Sequence, residues 1–362
     1  MNLVSHNGET YGANDLRYVS ESGSLLDLTF SPDIDPEAFD DRPLGMWRYI
    51  DALPVDEQHR VSFDEGGTPL TEHRIGEGTY HLKQDHLFPS GSYKDRGASI
   101  LISHAKALGV DSVVEDSSGN AGAAIAAYCA RANIQCDIYL PDSTSPAKRE
   151  QIAAYGATLH PIPGSREDTA DAAISAAEGR FYASHVYNPF FFHGTKTFAY
   201  EVWEQLGRRA PDEVLIPTGN GTLLIGAHIG FSELKEAGLI DQMPKLVAVQ
   251  AENCSPLFEI WSDGLDALPE NATSPTKAEG IAIAAPVRWR QIVEIIRSTG
   301  GEIVTVTEDE IKSGYDEMAA AGWFIEPTSA SAIATARKRP GPTDGIVVVP
   351  VTGHGLKASG KS

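Results

Sequence analysis

A chain of 362 residues with 41% hydrophobic content is long enough for two domains, or one large domain with lobes, built on real cores. Fifty acidic against 29 basic residues give a formal net charge of −21, which disfavours nucleic acid and anionic membrane surfaces as partners. Cys129, Cys136 and Cys254 lack the spacing of a disulfide framework or metal site, and neither a leader pattern nor a membrane-length apolar run is present, so the expectation is a cytoplasmic protein without metal.

Residues 1–60 are polar and irregular. Short strands are expected at Tyr18–Val19 and Leu25–Phe30, with Pro32, Pro36 and Pro43 as breakers. Trp47, Tyr49, Ile50 and Leu53 read as a short packing element. This segment is taken as an N-terminal extension lying on the main body.

From Thr79 the pattern alternates strand and helix. Expected strands are Thr79–Lys83, Ser112–Glu115, Cys136–Leu140, Thr158–His160 and Phe181–Ala183. Expected helices are Ala98–Leu108, Ala121–Ala132, one opened by Ser145-Pro146 and closed at Gly156, and Asp168–Ala177. A second series follows, with helices Lys196–Leu206 and Leu223–Leu234 and strands Glu213–Ile216 and Leu246–Val249. It ends with helices near Trp289–Arg297, at Asp309–Ala321 and at Ser329–Arg337, and strands Glu302–Val306 and Ile346–Val349. Repeated strand–helix units imply an α/β fold of parallel sheets flanked by helices, with ligands at the carboxyl ends of the strands.

Three loops at such ends, and one lysine, carry the chemistry. Ser117-Ser118-Gly119-Asn120 opens a helix, with free first-turn amides and an amide side chain. Thr218-Gly219-Asn220-Gly221-Thr222 also opens a helix, and glycine-rich turns at helix N-termini bind phosphate. It lacks the lysine of a nucleotide loop and the spacing of a dinucleotide fingerprint. Val351-Thr352-Gly353-His354-Gly355 presents a neutral hydroxyl, and His354 reads as a structural or surface histidine. Lys94 stands where the loop Pro89–Tyr93 gives way to a helical run, a place suited to an amine that forms a Schiff base. Taken singly, each feature reads as an ordinary cap, turn or solvated lysine. Taken together, they suit a phosphorylated aldehyde, and pyridoxal 5'-phosphate is the obvious candidate.

The segments Glu65-Gly66-Gly67-Thr68-Pro69-Leu70, Ser90-Gly91-Ser92-Tyr93-Lys94-Asp95-Arg96-Gly97 and Glu326-Pro327-Thr328-Ser329-Ala330 occur in combination. With them the chain resembles the fold-type II pyridoxal-phosphate enzymes, most like threonine synthase, from about Glu65 to Leu356. The resemblance implies a two-lobed fold like that of the tryptophan synthase β chain. The smaller domain would span 99–195, the larger 61–98 and 196–356, with the cofactor between them. Residues 1–60 resemble the small ribbon of archaeal threonine synthases, with Ser20 and Ser22 where that ribbon has metal-type cysteines.

By the same resemblance Lys94 forms the internal aldimine and later acts as base at the α-carbon. Asn120 hydrogen-bonds the cofactor's ring hydroxyl, Gly219, Asn220, Gly221, Thr222 and Leu223 hold its phosphate, and Thr352 meets its pyridine nitrogen. A neutral threonine there favours elimination and replacement over transamination. Ser117, Ser118, Gly119 and Ala121 would face a small amino-acid substrate, and a homodimer is implied.

Three departures bear on the substrate. Ala121-Gly122 stand where the family has a small hydroxyl residue. Asn188-Pro189-Phe190-Phe191-Phe192 carries phenylalanines where the family has an arginine for a substrate phosphate. Ala278-Glu279-Gly280-Ile281-Ala282 is more similar to the matching loop of serine/threonine ammonia-lyases. Arg166, Lys148, Lys196 and His193 are the cations that would compensate. Two readings stand: loss of phosphate from O-phosphohomoserine, or ammonia-lyase or β-replacement chemistry on an unphosphorylated amino acid.

Overall fold

The computed structural model describes every residue except Ser145, Ser165, 270–272, 340–344 and 359–362, and leaves out the side chains of Ala147, Arg166 and Glu167. The N-cap expected at Ser145 and the side chain of Arg166 therefore lie outside the described residues. The chain divides into two units, one of residues 1–66 and 94–195, the other of 67–93 and 196–362.

In the first unit a parallel sheet orders its strands as Thr158–Ile162, Gln135–Pro141, Ser112–Glu115 and Phe181–Tyr182. The helices Lys94–Ala107 and Asn120–Ala132 pack on each other and bury Ile100, Leu101, Ala124 and Ile125 with Val113 and Phe191. Successive residues of a strand face opposite ways. Val113 accordingly joins the Phe191 side, and Val114 packs with Ala173 and Tyr182 on the other.

Residues 1–66 belong to this unit because specific bonds hold them there. Trp47 Nε1 donates to Glu65 Oε1 at 2.9 Å and to Ser99 Oγ at 3.0 Å, and Ser99 Oγ donates to the Val61 carbonyl at 2.8 Å. The extension also holds a small antiparallel sheet, Thr10–Gly12, Asn2–Ser5 and Leu26–Thr29, whose first two strands the sequence pattern does not reveal. The strand expected at Tyr18–Val19 is only an isolated bridge from Val19 to Leu25. Ser20 and Ser22 donate to Glu9 Oε2 at 2.6 and 2.5 Å, so hydroxyls closing on a carboxylate tie this ribbon. Those bonds hold the Glu9 carboxyl down at about 2.

The second unit is built on a six-stranded sheet in the order Glu302–Val306, Lys245–Ala251, Glu213–Pro217, Val347–Pro350, Gly78–Lys83, Leu70–Ile75. Its pairs are parallel except the last, a hairpin in which Leu70–Ile75 is an antiparallel edge that the strand–helix pattern does not reveal. Val347–Pro350 is buried throughout, as expected for an inner parallel strand covered on both faces. Lys83, fully buried, donates to Glu201 Oε2 at 2.6 Å, the Thr68 carbonyl at 2.6 Å and Gln205 Oε1 at 2.9 Å, which fixes the Thr68 turn. No described helix is long and apolar enough to cross a membrane.

Candidate active site

In the second unit, two of the loops singled out in the sequence meet. Strand Glu213–Pro217 ends at Thr218, whose amide donates to the Val249 carbonyl at 2.8 Å and whose hydroxyl donates to the Ile216 carbonyl at 2.7 Å. The turn then runs through Gly219 and Gly221 into the helix Thr222–Glu236. A Cβ on Gly219 would lie 2.8 Å from Ile283 Cγ1, and Gly221 has φ +73° with Ile292 where a Cβ would go. Glycine at both positions lets the turn lie this close to its support. The helix has no side-chain cap and no acid in its first turn, so its leading amides suit an anion.

Segment Glu279–Ile281 backs this turn. Gly280 N–H donates to Thr328 Oγ1 at 3.0 Å, which links it to the Glu326-Pro327-Thr328-Ser329 motif. That motif also holds the Thr352 loop. Thr352 Oγ1 donates to Glu326 Oε1 at 2.8 Å, and Ser329 Oγ accepts the amide of Thr352 at 2.9 Å and lies 2.9 Å from its hydroxyl. A carboxylate thus sits one hydrogen bond behind the threonine. With its proton directed at Glu326, Thr352 Oγ1 presents lone pairs.

Tyr93 ties the two loops together. Its hydroxyl lies 2.8 Å from Thr222 Oγ1 and its amide donates to the Thr352 carbonyl at 3.0 Å. In the sequence Tyr93 stands out only as a neighbour of the lysine. An aromatic hydroxyl next to the candidate lysine was the only signal available. Ser92, fully buried, leaves its hydroxyl without a hydrogen-bond partner among the described residues.

In the first unit, Lys94 is the first residue of the helix Lys94–Ala107, four residues before the expected start. Gly97 lies one turn on, and a Cβ there would fall 2.3 Å from the Phe191 ring. Glycine therefore lets Phe191 lie over the first turn, and Lys94 Nζ is 5.6 Å from the ring centroid. Phe191 belongs to the short helix Phe190–Thr195, which the sequence reading leaves out. Asn188 Oδ1 accepts the Phe190 amide at 3.1 Å to start it, and Phe190 stacks on His104 at 3.5 Å. All three phenylalanines are buried.

Asn120 is the first residue of its helix, after Gly119, whose amide donates to Ser117 Oγ at 3.3 Å. A Cβ on Gly122 would lie 1.8 Å from the Ser117 carbonyl oxygen, so the Ser117–Gly119 turn folds tightly over the start of the helix. Ala121 is buried and Ser118 partly so. The strand leading into this turn ends in Glu115, fully buried, and His185 Nδ1 lies 2.9 Å from Glu115 Oε1. Burial, then the neighbouring Asp116 and Cys136, push the Glu115 carboxyl well up, with Lys94 acting in the opposite direction. Neither Glu115 nor His185 was singled out from the sequence. An acid ending an apolar strand, Val113-Val114-Glu115-Asp116, is the signal that could have found the first.

Of the cations set against Phe191, Lys196 is fully buried and bonds Glu233 Oε1 at 2.8 Å. His193 is buried with its ring edge-on to Phe30, and Lys148 is partly exposed on the helix Pro146–Ala154.

In the second unit, a glycine turn at a helix start and a hydroxyl that presents lone pairs suit the phosphate and ring of a phosphorylated pyridine; in the first unit, Lys94 is an amine at the head of a helix, the kind of group that bonds an aldehyde. A family model described as pyridoxal-phosphate dependent enzyme matches residues 61–353. Threonine synthase of Methanocaldococcus jannaschii is 34% identical over 97% of this chain and 91% of its own. That of Mycobacterium tuberculosis is 36% identical over 85% and 87%. Among solved structures, a pyridoxal 5'-phosphate-dependent aspartate racemase gives a TM-score of 0.70 at 22% identity, covering 83% of this chain and 96% of its own. A fungal L-serine ammonia-lyase from Rhizomucor miehei gives 0.68 at 21% identity, covering 79% and 93%. The structural likenesses carry the fold, the α/β fold of fold-type II, and the matched family model with the curated relatives carries the rest: the chain belongs to the pyridoxal-phosphate-dependent enzymes.

Proposed function

We propose that this enzyme eliminates or replaces a side-chain group of a small amino acid, with threonine synthase activity as the leading reading: O-phospho-L-homoserine and water to L-threonine and phosphate. The observation that carries the elimination–replacement class is the bonded set Tyr93–Thr222 and Tyr93–Thr352, with Thr352 backed by Glu326. Curated relatives that span nearly the whole chain support the specific activity.

The cofactor supplies an electron sink conjugated to the α-carbon. Lys94 would hold it covalently through Nζ. Gly219, Asn220, Gly221, Thr222 and Leu223 would bind its phosphate with backbone amides and the Thr222 hydroxyl. Asn120 would donate to its ring hydroxyl, and the Thr352 hydroxyl would hydrogen-bond its pyridine nitrogen. Freed from the cofactor, the Lys94 amine would serve as the base for the α-proton, and the Phe191 ring, 5.6 Å from Nζ, would keep water from one side of it. The Ser117–Gly119 turn and Ala121 would orient the substrate carboxylate.

A second reading, an ammonia-lyase or β-replacement enzyme on an unphosphorylated amino acid, is favoured by Phe191. A buried phenyl ring at 5.6 Å from Lys94 offers no charge-assisted bond to a phosphate. Supplying purified enzyme with O-phospho-L-homoserine, L-serine and L-threonine separates the two. Phosphate with threonine supports the first, and keto acid from serine or threonine, without phosphate release, replaces it with the second. A cytoplasmic homodimer is part of the proposal. A single-subunit mass in solution would remove the dimer.

A further inference from the structure

A fully buried carboxyl in an apolar layer is not a stabilising device, because a well-packed apolar residue in its place is often neutral or better. Glu115 is such a group, on the face of its strand that carries Val113 and Phe191. Among the described residues the side chain that hydrogen-bonds it is His185, and its Oε2 makes no hydrogen bond. Of the two, His185 is the more exposed, with 11% of its side chain accessible against none for Glu115. The Phe191 ring is flanked by both His185, with ring centroids 5.9 Å apart, and Lys94 Nζ at 5.6 Å. Glu115 and Lys94 interact electrostatically as well.

We propose that His185 and Glu115 form a proton relay serving the leaving group of an unphosphorylated β-hydroxy amino acid bound beside Lys94. The proposal rests on the second reading above and on Lys94 as the cofactor lysine. Hydroxide is a poor leaving group and needs a proton, whereas phosphate does not.

When the substrate C–O bond breaks, its electron pair leaves with oxygen. His185 Nε2 gives that oxygen its proton, and Nδ1 takes the proton of Glu115. Water departs, and Glu115 is left as a carboxylate. The proton that Lys94 removed from the α-carbon restores the pair through solvent, so the net loss is one water. Burial first, then the neighbouring Asp116 and Cys136, push the Glu115 carboxyl up and so favour its protonated form, against the opposing pull of Lys94.

The test compares leaving groups in the loaded enzyme. In His185→Gln and Glu115→Gln, kcat/KM for L-serine should fall at least about 100-fold, while that for β-chloro-L-alanine, whose chloride needs no proton, should change less than about threefold. The 15N resonances of the His185 imidazole should shift their titration in Glu115→Gln, a readout independent of turnover. Equal losses on both substrates would overturn the relay, as would an unshifted His185 titration or a wild-type enzyme that acts on O-phosphohomoserine and no hydroxy amino acid. If reduction attaches the cofactor to a lysine other than Lys94, the site reading falls and the relay with it. If Lys94 is labelled and the losses are equal, only the relay falls.

Discussion

Two strand ends invite comparison. Strand Glu213–Pro217 runs into glycines, and the groups it offers are backbone amides at the start of a helix. Strand Ser112–Glu115 ends in Glu115 and Asp116, and the groups near it are side chains: a carboxyl, an imidazole, a phenyl ring and Lys94. The first end offers backbone groups that are indifferent to most side chains, which suits the proposed hold on a constant cofactor phosphate. The second is defined by side-chain identity, and under the proposed function it is the end that would set substrate choice.

The largest expected effect breaks the second end at its centre. Lys94→Ala should lower turnover by at least about 1,000-fold, since base and covalent anchor go together. Its visible absorption band should vanish on dialysis while that of wild type persists. Phe191→Ala should cost about 3–5 kcal/mol in urea unfolding, because a fully buried ring leaves a cavity. Gly97→Ala should cost about 1–3 kcal/mol, because its Cβ meets the Phe191 ring. In Phe191→Ala/Gly97→Ala the two costs should not add, and additivity would show that the glycine is not there for the ring.

At the first end, Gly221→Ala should lose about 1 kcal/mol to backbone conformation alone, plus its contact with Ile292. It should release the cofactor more readily than Gly97→Ala does, measured by equilibrium dialysis. The smallest effect lies in the N-terminal ribbon. The Glu9 carboxyl is held at about 2 in the folded state against an ordinary 4.5. Its contribution is complete above the unfolded value and is lost as pH falls through about 2. The difference in urea midpoint between wild type and Glu9→Gln should therefore shrink as pH drops from 6 toward 2.

How much was legible follows the same division. The parallel strands and the glycine turns could be read because apolar runs and glycines at helix starts have local causes. The family motifs marked Glu326 and Ser329, but not that both bond Thr352, across 26 and 23 residues of sequence. Lys94 was read at a junction; that it begins the helix depends on tertiary packing of Gly97 against Phe191. The helix Phe190–Thr195 was missed because three phenylalanines and a glycine have weak helical preference, and burial decides their form. Glu115 and His185 lie 70 residues apart, and no periodicity joins them. Of the cations weighed against Phe191, Lys196 was a plausible phosphate partner by position and proves to be bonded to Glu233.

Lys94 is the claim on which the site, the function and the relay all depend, and it has two buried rivals, Lys83 and Lys196, each in an ion pair. Reducing the cofactor-loaded enzyme with borohydride and mapping the modified peptide decides among them. The expected result is a single pyridoxyl group on Lys94, and a label on Lys83 or Lys196 would contradict the account.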